Sequence, residues 1–514
     1  MQRRSFVTGP LALGAGSLWL PSLARAQAPL AADPFSLGVA SGRPGPDSIV
    51  LWTRLMPADR TQPLDAPIAV GWTIAEDERL QKVVRSGEAI AEAAWAHSVH
   101  VDVAGLKPDR PYWYRFTVND RGAGKASPVG RTRTAPEPTA KVQALRFSFA
   151  SCQQYEHGFY AAHRHMAAEE LNAVLFVGDY IYEMSWGRNL VRHHGNTARI
   201  TTLEAYRNRY ALYKSDLDLQ AAHAAHPWIV TWDDHEVVND YADDISPTDP
   251  DPKPFLAIRA AAYQAYWEHM PLPNSLRPKG PAMKLYDRYR FGDLAELFVI
   301  DDRQYRSHNA CNAESIKSRM LDNCAERLDP GRTMLGADQE SWFASGMAQA
   351  SVRWNLIAQQ TLMAELNRGE GAKDVYWADG WDGYPIARRR LLEAVAASPT
   401  KDTLVLGGDV HSFWAADLKT DFASPTAPTV ATEFVGGSIT SQGPPNANSQ
   451  AMLPRNPHIR SALSGVYGYG HVALDAKQAV VSFRTLADVR DPRSGISTAR
   501  RFAVEAGRPG VVAG

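Results

Sequence analysis

The chain has 514 residues, 45% of them hydrophobic and 22% charged, which are the proportions of ordinary globular protein. Lys and Arg number 55 against 56 Asp and Glu, a formal net charge of −1. That balance argues against nucleic acid as the main partner, and the length calls for at least two domains.

Residues 1–28 read as a leader. Arg3-Arg4-Ser5-Phe6-Val7 precedes an uncharged run over 8–23, and Ala24-Arg25-Ala26 or Ala26-Gln27-Ala28 offers small-residue cleavage. This pattern is that of a twin-arginine signal, which makes the Tat export machinery a partner and places the product in the periplasm or outside the cell. The apolar run is shorter than the roughly 18–20 residues of a membrane span and is broken by Pro21, so no membrane anchor is expected after cleavage.

Residues 29–137 read as an all-β domain. Short alternating runs at 49–53, 68–72, 99–103 and 112–116 predict strands, and Gly105-Leu106-Lys107-Pro108 predicts a turn between two of them. Thr134-Ala135-Pro136-Glu137-Pro138 reads as the linker to a second domain over 138–514.

In that second domain, apolar strand-like runs end on residues that can bind metal. The run 145–150 ends at Ser151-Cys152; a helical stretch over about 158–171 follows; the run 173–177 then delivers Gly178-Asp179-Tyr180-Ile181-Tyr182-Glu183. Strand, helix and strand form a βαβ unit, whose parallel pairing brings Cys152 and Asp179 to one edge. The run 228–232 precedes Asp233-Asp234-His235-Glu236 and then Asn239-Asp240, and the run 403–407 precedes Gly408-Asp409-Val410-His411. Runs at 297–301, 354–358, 430–435 and 479–483 predict further strands and 386–398 a helix, giving an α/β arrangement of two face-to-face sheets with outer helices.

Chemistry accounts for the mixture of types. Carboxylates suit hard cations, imidazole suits iron and zinc, and a thiolate is a soft donor that calcium does not select. The set therefore implies two unlike metals, with Tyr182 supplying a phenolate for a ferric ion and Asp179 or Asp409 bridging. Paired cations about 3.5–4 Å apart activate water and hold the oxygens of a transferring phosphoryl group, leaving His235 as acid or charge stabiliser.

Each piece also has an ordinary explanation. Gly178-Asp179 alone is a turn, Cys152 alone a small buried hydrophobe, Tyr182 alone a core aromatic, and 233–236 a solvated helix cap. Their common position at strand exits is what a set of random turns would not arrange. His163 and His165 fall on a predicted helix surface and are expected to be mostly exposed. Cys311 and Cys324 lie in a polar insert over 307–335 and are expected to form a disulfide, which leaves Cys152 unpaired.

The segments Phe149-Ala150-Ser151-Cys152-Gln153, 178–183, 232–237 and Gly408-Asp409-Val410-His411-Ser412 resemble the PhoD family of alkaline phosphatases and phosphodiesterases. The resemblance extends to Asp302-Arg303-Gln304-Tyr305-Arg306 and Trp381-Asp382-Gly383-Tyr384-Pro385. It implies a metallophosphatase-like two-sheet sandwich preceded by a fibronectin type III-like domain, with ferric iron (Fe3+) and calcium (Ca2+). By position, Cys152, Asp179, Tyr182 and His411 resemble the iron ligands. Asp179 and Asp409 look like shared or calcium-side ligands, completed by Asp234 or Asn239. His235 follows as the phosphate-contacting acid. Arg303 is a phosphate-gripping or salt-bridging residue, and Trp381–Tyr384 line a pocket lip or pack in the core.

The function implied is hydrolysis of phosphate monoesters or diesters by a metal-activated hydroxide. A phospholipase D-like diesterase acting on lipid or cell-wall phosphodiesters competes within the same chemistry. The alternative of another class is a calcium-stabilised envelope-binding protein, against which Cys152 and Tyr182 argue.

Overall fold

The computed structural model describes residues 29–59, 64–120, 122–312 and 319–513; the leader expected over 1–28 lies outside them. Two large sheets dominate. In the first, the parallel strands Ala144–Ala150, Ala173–Val177 and Pro227–Thr231 lie side by side, with Leu175 opposite both Phe149 and Ile229. In the second, Ala295–Val299, Trp354–Ala358, Asp402–Gly407 and Thr429–Gly436 run parallel in that order.

The near-continuous apolar strands follow from burial on both faces. Leu175 and Val177 point inward and join Phe149, Leu356, Leu404, Phe434 and Phe483 in the core between the sheets. Val174 and Phe176, one residue out of phase, point outward onto Tyr206, Tyr210 and Tyr263 of the covering helices. On the far side of the second sheet, Ile357 and Val405 pack beneath Phe343, Leu391 and Val395. The helix predicted over 386–398 is Pro385–Ala397, with Pro at its first turn where the missing N–H costs nothing.

The amino-terminal region is all β. Ile68–Ala75, Val83–Ala91 and Pro111–Asp120 form one sheet, which packs Val70, Ile74, Tyr114 and Phe116 against Ile49, Leu51 and Val101 of Ser48–Arg54 and Ser98–Ala104. The second layer of this sandwich is continuous with the first large sheet. Val39–Gly42 pairs in parallel with Pro227–Thr231, Ser41 facing Pro227, and so covers what would otherwise be an open sheet edge.

Cys311 and Cys324 are disulfide-bonded, and Cys152 is buried and free. The expectation of exposed histidines is overturned. The helix is Ala161–Ala167, and it turns Ala162, His163 and Met166 toward the sheet because positions three and four apart share a face. His163 is fully buried, its Nε2 lies 2.7 Å from Gln153 Oε1, and burial pushes its pKa down to about 3. His165 is half-buried, with Nε2 2.8 Å from the Ser494 carbonyl.

Candidate metal centre

Parallel pairing places the exits of the central strands of both sheets at one crevice. The loops there are laced together: Cys152 N–H donates to the Gly178 carbonyl at 3.1 Å, Gln153 N–H to the Asp179 carbonyl at 3.0 Å, and Gly408 N–H to the Gln360 carbonyl at 2.7 Å. Gly178 is required by this closeness, since it has φ +110° and a Cβ on it would lie 2.4 Å from Cβ of Asp233.

Cys152, Asp179, Asp409 and His411 all adopt the left-handed backbone region, with φ of 60°, 58°, 62° and 50°. For non-glycine residues this conformation is disfavoured, and four such residues at one crevice mark a functional site. Three of the four lie just past the strands Ala144–Ala150, Ala173–Val177 and Asp402–Gly407, and His411 immediately precedes the strand Ser412–Lys419.

Cys152, Asp179 and His411 bring one donor atom each within 4.8 Å of the others, and Asp179, Asp234 and His235 do the same. Tyr182 joins them: its hydroxyl donates to Asp179 Oδ2 at 2.7 Å, lies 3.0 Å from His411 Nε2, and accepts from Ser441 Oγ at 2.7 Å. Asp409 reaches in from the opposite sheet, with Oδ2 accepting from Thr361 Oγ1 at 2.6 Å and Oδ1 3.6 Å from Arg303 Nη2. The backbone N–H of Asn239 donates to Glu183 Oε1 at 3.0 Å, and its half-buried amide makes no hydrogen bond among the described residues.

Arg303 is 1% exposed and sits behind the carboxylates. It pairs with Asp233, donates to Asp379 Oδ2 at 2.7 Å, and holds Nη2 3.8 Å from Asp234 Oδ2. Trp381 and Tyr384 are packed in the core: Trp381 Nε1 donates to Gln359 Oε1 and Tyr384 Oη to the Ser307 carbonyl.

The residues fit a cation. Asp179 Oδ1 and Asp234 Oδ1 are buried without a hydrogen-bond partner among the described residues, an arrangement that costs about 1–3 kcal/mol per group unless something positive meets them. Burial, and next the charge of Asp179, push the Cys152 thiol and the Tyr182 phenol far above their ordinary pKa values. Only a bound cation makes thiolate and phenolate the stable forms here. Burial alone would raise Asp234, yet the Arg303 guanidinium and the His235 imidazole hold it below the usual carboxylate range. Burial raises Asp409 to about 6.

The profile of the family described as "PhoD-like phosphatase" matches residues 147–483, and that of "PhoD-like phosphatase, N-terminal domain" matches 22–136. The chain belongs to the PhoD-like phosphatase family. Among relatives, alkaline phosphatase D of Bacillus subtilis (strain 168) is 43% identical over 492 residues, covering 93% of this chain and 82% of that protein. A solved structure of PhoD superposes with a TM-score of 0.88 at 42% identity, over 93% of this chain and 92% of that one. Purple acid phosphatase PPD1 from yellow lupin (Lupinus luteus) seeds shares the fold alone, with a TM-score of 0.56 at 11% identity over 92% and 74% of the two chains.

As a PhoD-like phosphatase the protein is a phosphoric ester hydrolase, not an envelope-binding module. Its metallophosphatase fold includes neighbours that sequence reasoning did not assign. Asp240 and Asp379 join Asp234 in a third cluster of acidic donors, an all-oxygen set of the kind hard cations favour. Asp240 follows Asn239 in a stretch already rich in ligand types, whereas nothing local marks Asp379. Glu236 accepts the N–H groups of Asp179, Tyr180 and Asp233 at 3.0, 2.6 and 2.8 Å, tying two ligand loops to one carboxylate. Burial and then the Asp179 charge raise Glu236 to about 8.

Proposed function

We propose that this phosphatase is exported and hydrolyses phosphate monoesters, diesters or both at a centre that holds ferric iron and calcium. The observation that carries the reading is the meeting of a thiol, a phenol and an imidazole on the single carboxylate of Asp179. A soft and a phenolic donor beside carboxylates suit iron on one side and a hard cation on the other. When bound, such cations withdraw charge from the ester and strengthen water as an acid.

In this assignment Cys152, Asp179, Tyr182 and His411 serve the iron. Asp179 and Asp409 serve calcium together with Asp234, a buried carboxylate with an oxygen within 4.8 Å of donor atoms of Asp179 and His235. His235 holds a proton for an ester oxygen. Glu183 Oε2 accepts its Nδ1–H at 2.6 Å, which leaves Nε2 as the atom that meets substrate. Burial opposes charge on this ring, but the carboxylates of Glu183, Asp179 and Asp234 raise its pKa well above the ordinary value. Arg303 is a positioning residue here: it balances four carboxylates and sets their spacing.

The leader at 1–28 supports Tat-dependent export, and no described helix is long and apolar enough to cross a membrane. The test joins metal analysis of the purified protein to assays on 4-nitrophenyl phosphate, bis(4-nitrophenyl) phosphate and a phosphatidyl diester. Iron and calcium with turnover of the nitrophenyl esters are expected. Cleavage confined to the lipid diester would move the assignment to a phospholipase D-like activity, and a protein active without iron would defeat the mixed-metal centre.

A further inference from the structure

Ser185-Trp186-Gly187 forms a tight turn shortly after Tyr182 and Glu183. The Gly187 N–H donates to Ser185 Oγ at 3.1 Å, and Gly187 has φ +63°, a conformation open to glycine without strain. Asn189 Nδ2 then donates to Gln442 Oε1 at 2.9 Å, and the Gln442 carbonyl lies 2.9 Å from His411 Nδ1. The turn that carries Trp186 is thereby tied to the loop that carries His411.

The indole stands against the metal centre. Its ring centroid is 5.6 Å from that of His411, 5.8 Å from that of Tyr182 and 6.4 Å from that of His235. Of the residues assigned to the metals, Cys152, Asp179, Tyr182 and Asp234 are buried, whereas the side chains of Asp409 and His411 are 18% and 12% exposed. The centre therefore opens on the side of Asp409 and His411. Trp186 is half-buried beside that opening, and its indole N–H makes no hydrogen bond among the described residues. The exposed Arg188 guanidinium, 5.6 Å from the ring centroid, adds a cation–π contact to the same indole.

We propose that Trp186 is a specificity-determining residue, its indole packing against the organic group of the ester and favouring a planar aromatic group over a short aliphatic one. An ester whose phosphorus is held at the centre directs its organic group through the opening, because buried side chains close the other sides. In the opening that group meets the indole. A planar group can stack on the indole or meet it edge to face, at ring separations of about 4.5–7 Å, whereas a short alcohol offers only its few carbons. Tryptophan exerts this preference without chemistry of its own, since it does not titrate and holds no metal. The inference rests on the phosphoric-ester reading above and adds to it the residue that reads the group beyond the phosphorus.

Competitive inhibition of the metal-loaded enzyme tests it, because phenylphosphonate and methylphosphonate carry the two kinds of group on the same uncleavable head. Each is titrated against whichever of 4-nitrophenyl phosphate and bis(4-nitrophenyl) phosphate the enzyme turns over. Wild type is expected to bind phenylphosphonate about tenfold more tightly than methylphosphonate. Trp186→Ala and Trp186→Leu should bring the two inhibition constants within about threefold of each other at unchanged iron and calcium content, while Trp186→Phe stays within about twofold of the wild-type ratio. A wild type without preference for phenylphosphonate, a preference that survives in Trp186→Ala, equal ratios in Trp186→Leu and Trp186→Phe, or metal lost from all three variants would each overturn the proposal. An enzyme inert toward both nitrophenyl esters would instead remove the phosphatase reading, and this one with it.

Discussion

Glu183 takes His235 Nδ1–H on Oε2 at 2.6 Å and the Asn239 backbone N–H on Oε1 at 3.0 Å. One carboxylate therefore sets the tautomer of the imidazole and anchors the loop that follows it. Removing the charge while keeping the shape should lower kcat about 10–100-fold, the usual range for partners that orient site residues, with a small change in KM. Turnover by Glu183→Gln checks this; full activity would show that His235 needs no such support.

Tyr182→Phe removes one oxygen from a packed ring and keeps the ring's contacts with His235, whose centroid is 4.1 Å away. If phenolate and thiolate hold ferric iron, the wild type has a visible absorption band that this variant weakens or shifts. An unaltered spectrum at equal iron content would take Tyr182 out of the ligand set.

Asp179 is shared by the donor cluster of Cys152 and His411 and that of Asp234 and His235. Asp179→Asn should abolish hydrolysis of 4-nitrophenyl phosphate and lower the content of both metals, whereas Asp409→Asn should remove calcium before iron. Plasma emission on the purified variants reads both outcomes, and full metal content in Asp179→Asn would contradict its bridging place.

The Cys311–Cys324 disulfide closes a short loop, with a sequence separation of 13, and holds the insert from which Arg319 pairs with Asp240. A crosslink of this span stabilises by about 3 kcal/mol through the unfolded chain. Cys311→Ala with Cys324→Ala should lower the denaturation midpoint accordingly; an unmoved midpoint would place the bridge outside the cooperative unit.

Lys214 is 2% exposed, its Nζ lies 4.3 Å from the Trp52 ring centroid and 3.5 Å from His223 Nε2, and it has no acidic partner among the described residues. Burial lowers its pKa from 10.5 to about 7. Between those values the folded protein binds fewer protons than the unfolded chain, so stability rises with pH across the window, by at most about 1.4 kcal/mol per unit. Below about pH 7 the penalty is fully present. Lys214→Met should flatten the melting temperature between pH 7 and 10 relative to wild type; parallel curves for the two proteins would refute the assignment.

The central strands were readable because burial on both faces makes them continuous apolar runs, and the element expected over 354–358 is the strand Trp354–Ala358. The run expected over 297–301 is shifted to Ala295–Val299, since Ile300 and Asp301 remain apolar or buried after the ladder has ended. Helix faces were harder. His163 looked like a surface residue because its neighbours in sequence are mixed, but the helix turns it onto Phe176 and Trp228 of the sheet, where Gln153 Oε1 meets its Nε2.

From local composition alone came the apolar runs, the glycines before acidic residues, the mixture of thiol, phenol, imidazole and carboxylate, and the cysteine pair of the insert. Those are properties of short segments, set by side-chain chemistry and strand period. The fold decided which loops meet: Ser441 against Tyr182 across 259 positions, Arg303 beneath Asp233 and Asp379, Trp186 beside His411, and the sandwich strand Val39–Gly42 paired into the catalytic sheet. Such meetings depend on sheet order and on backbone turned left-handed at the strand exits, and neither leaves a periodic trace along the chain.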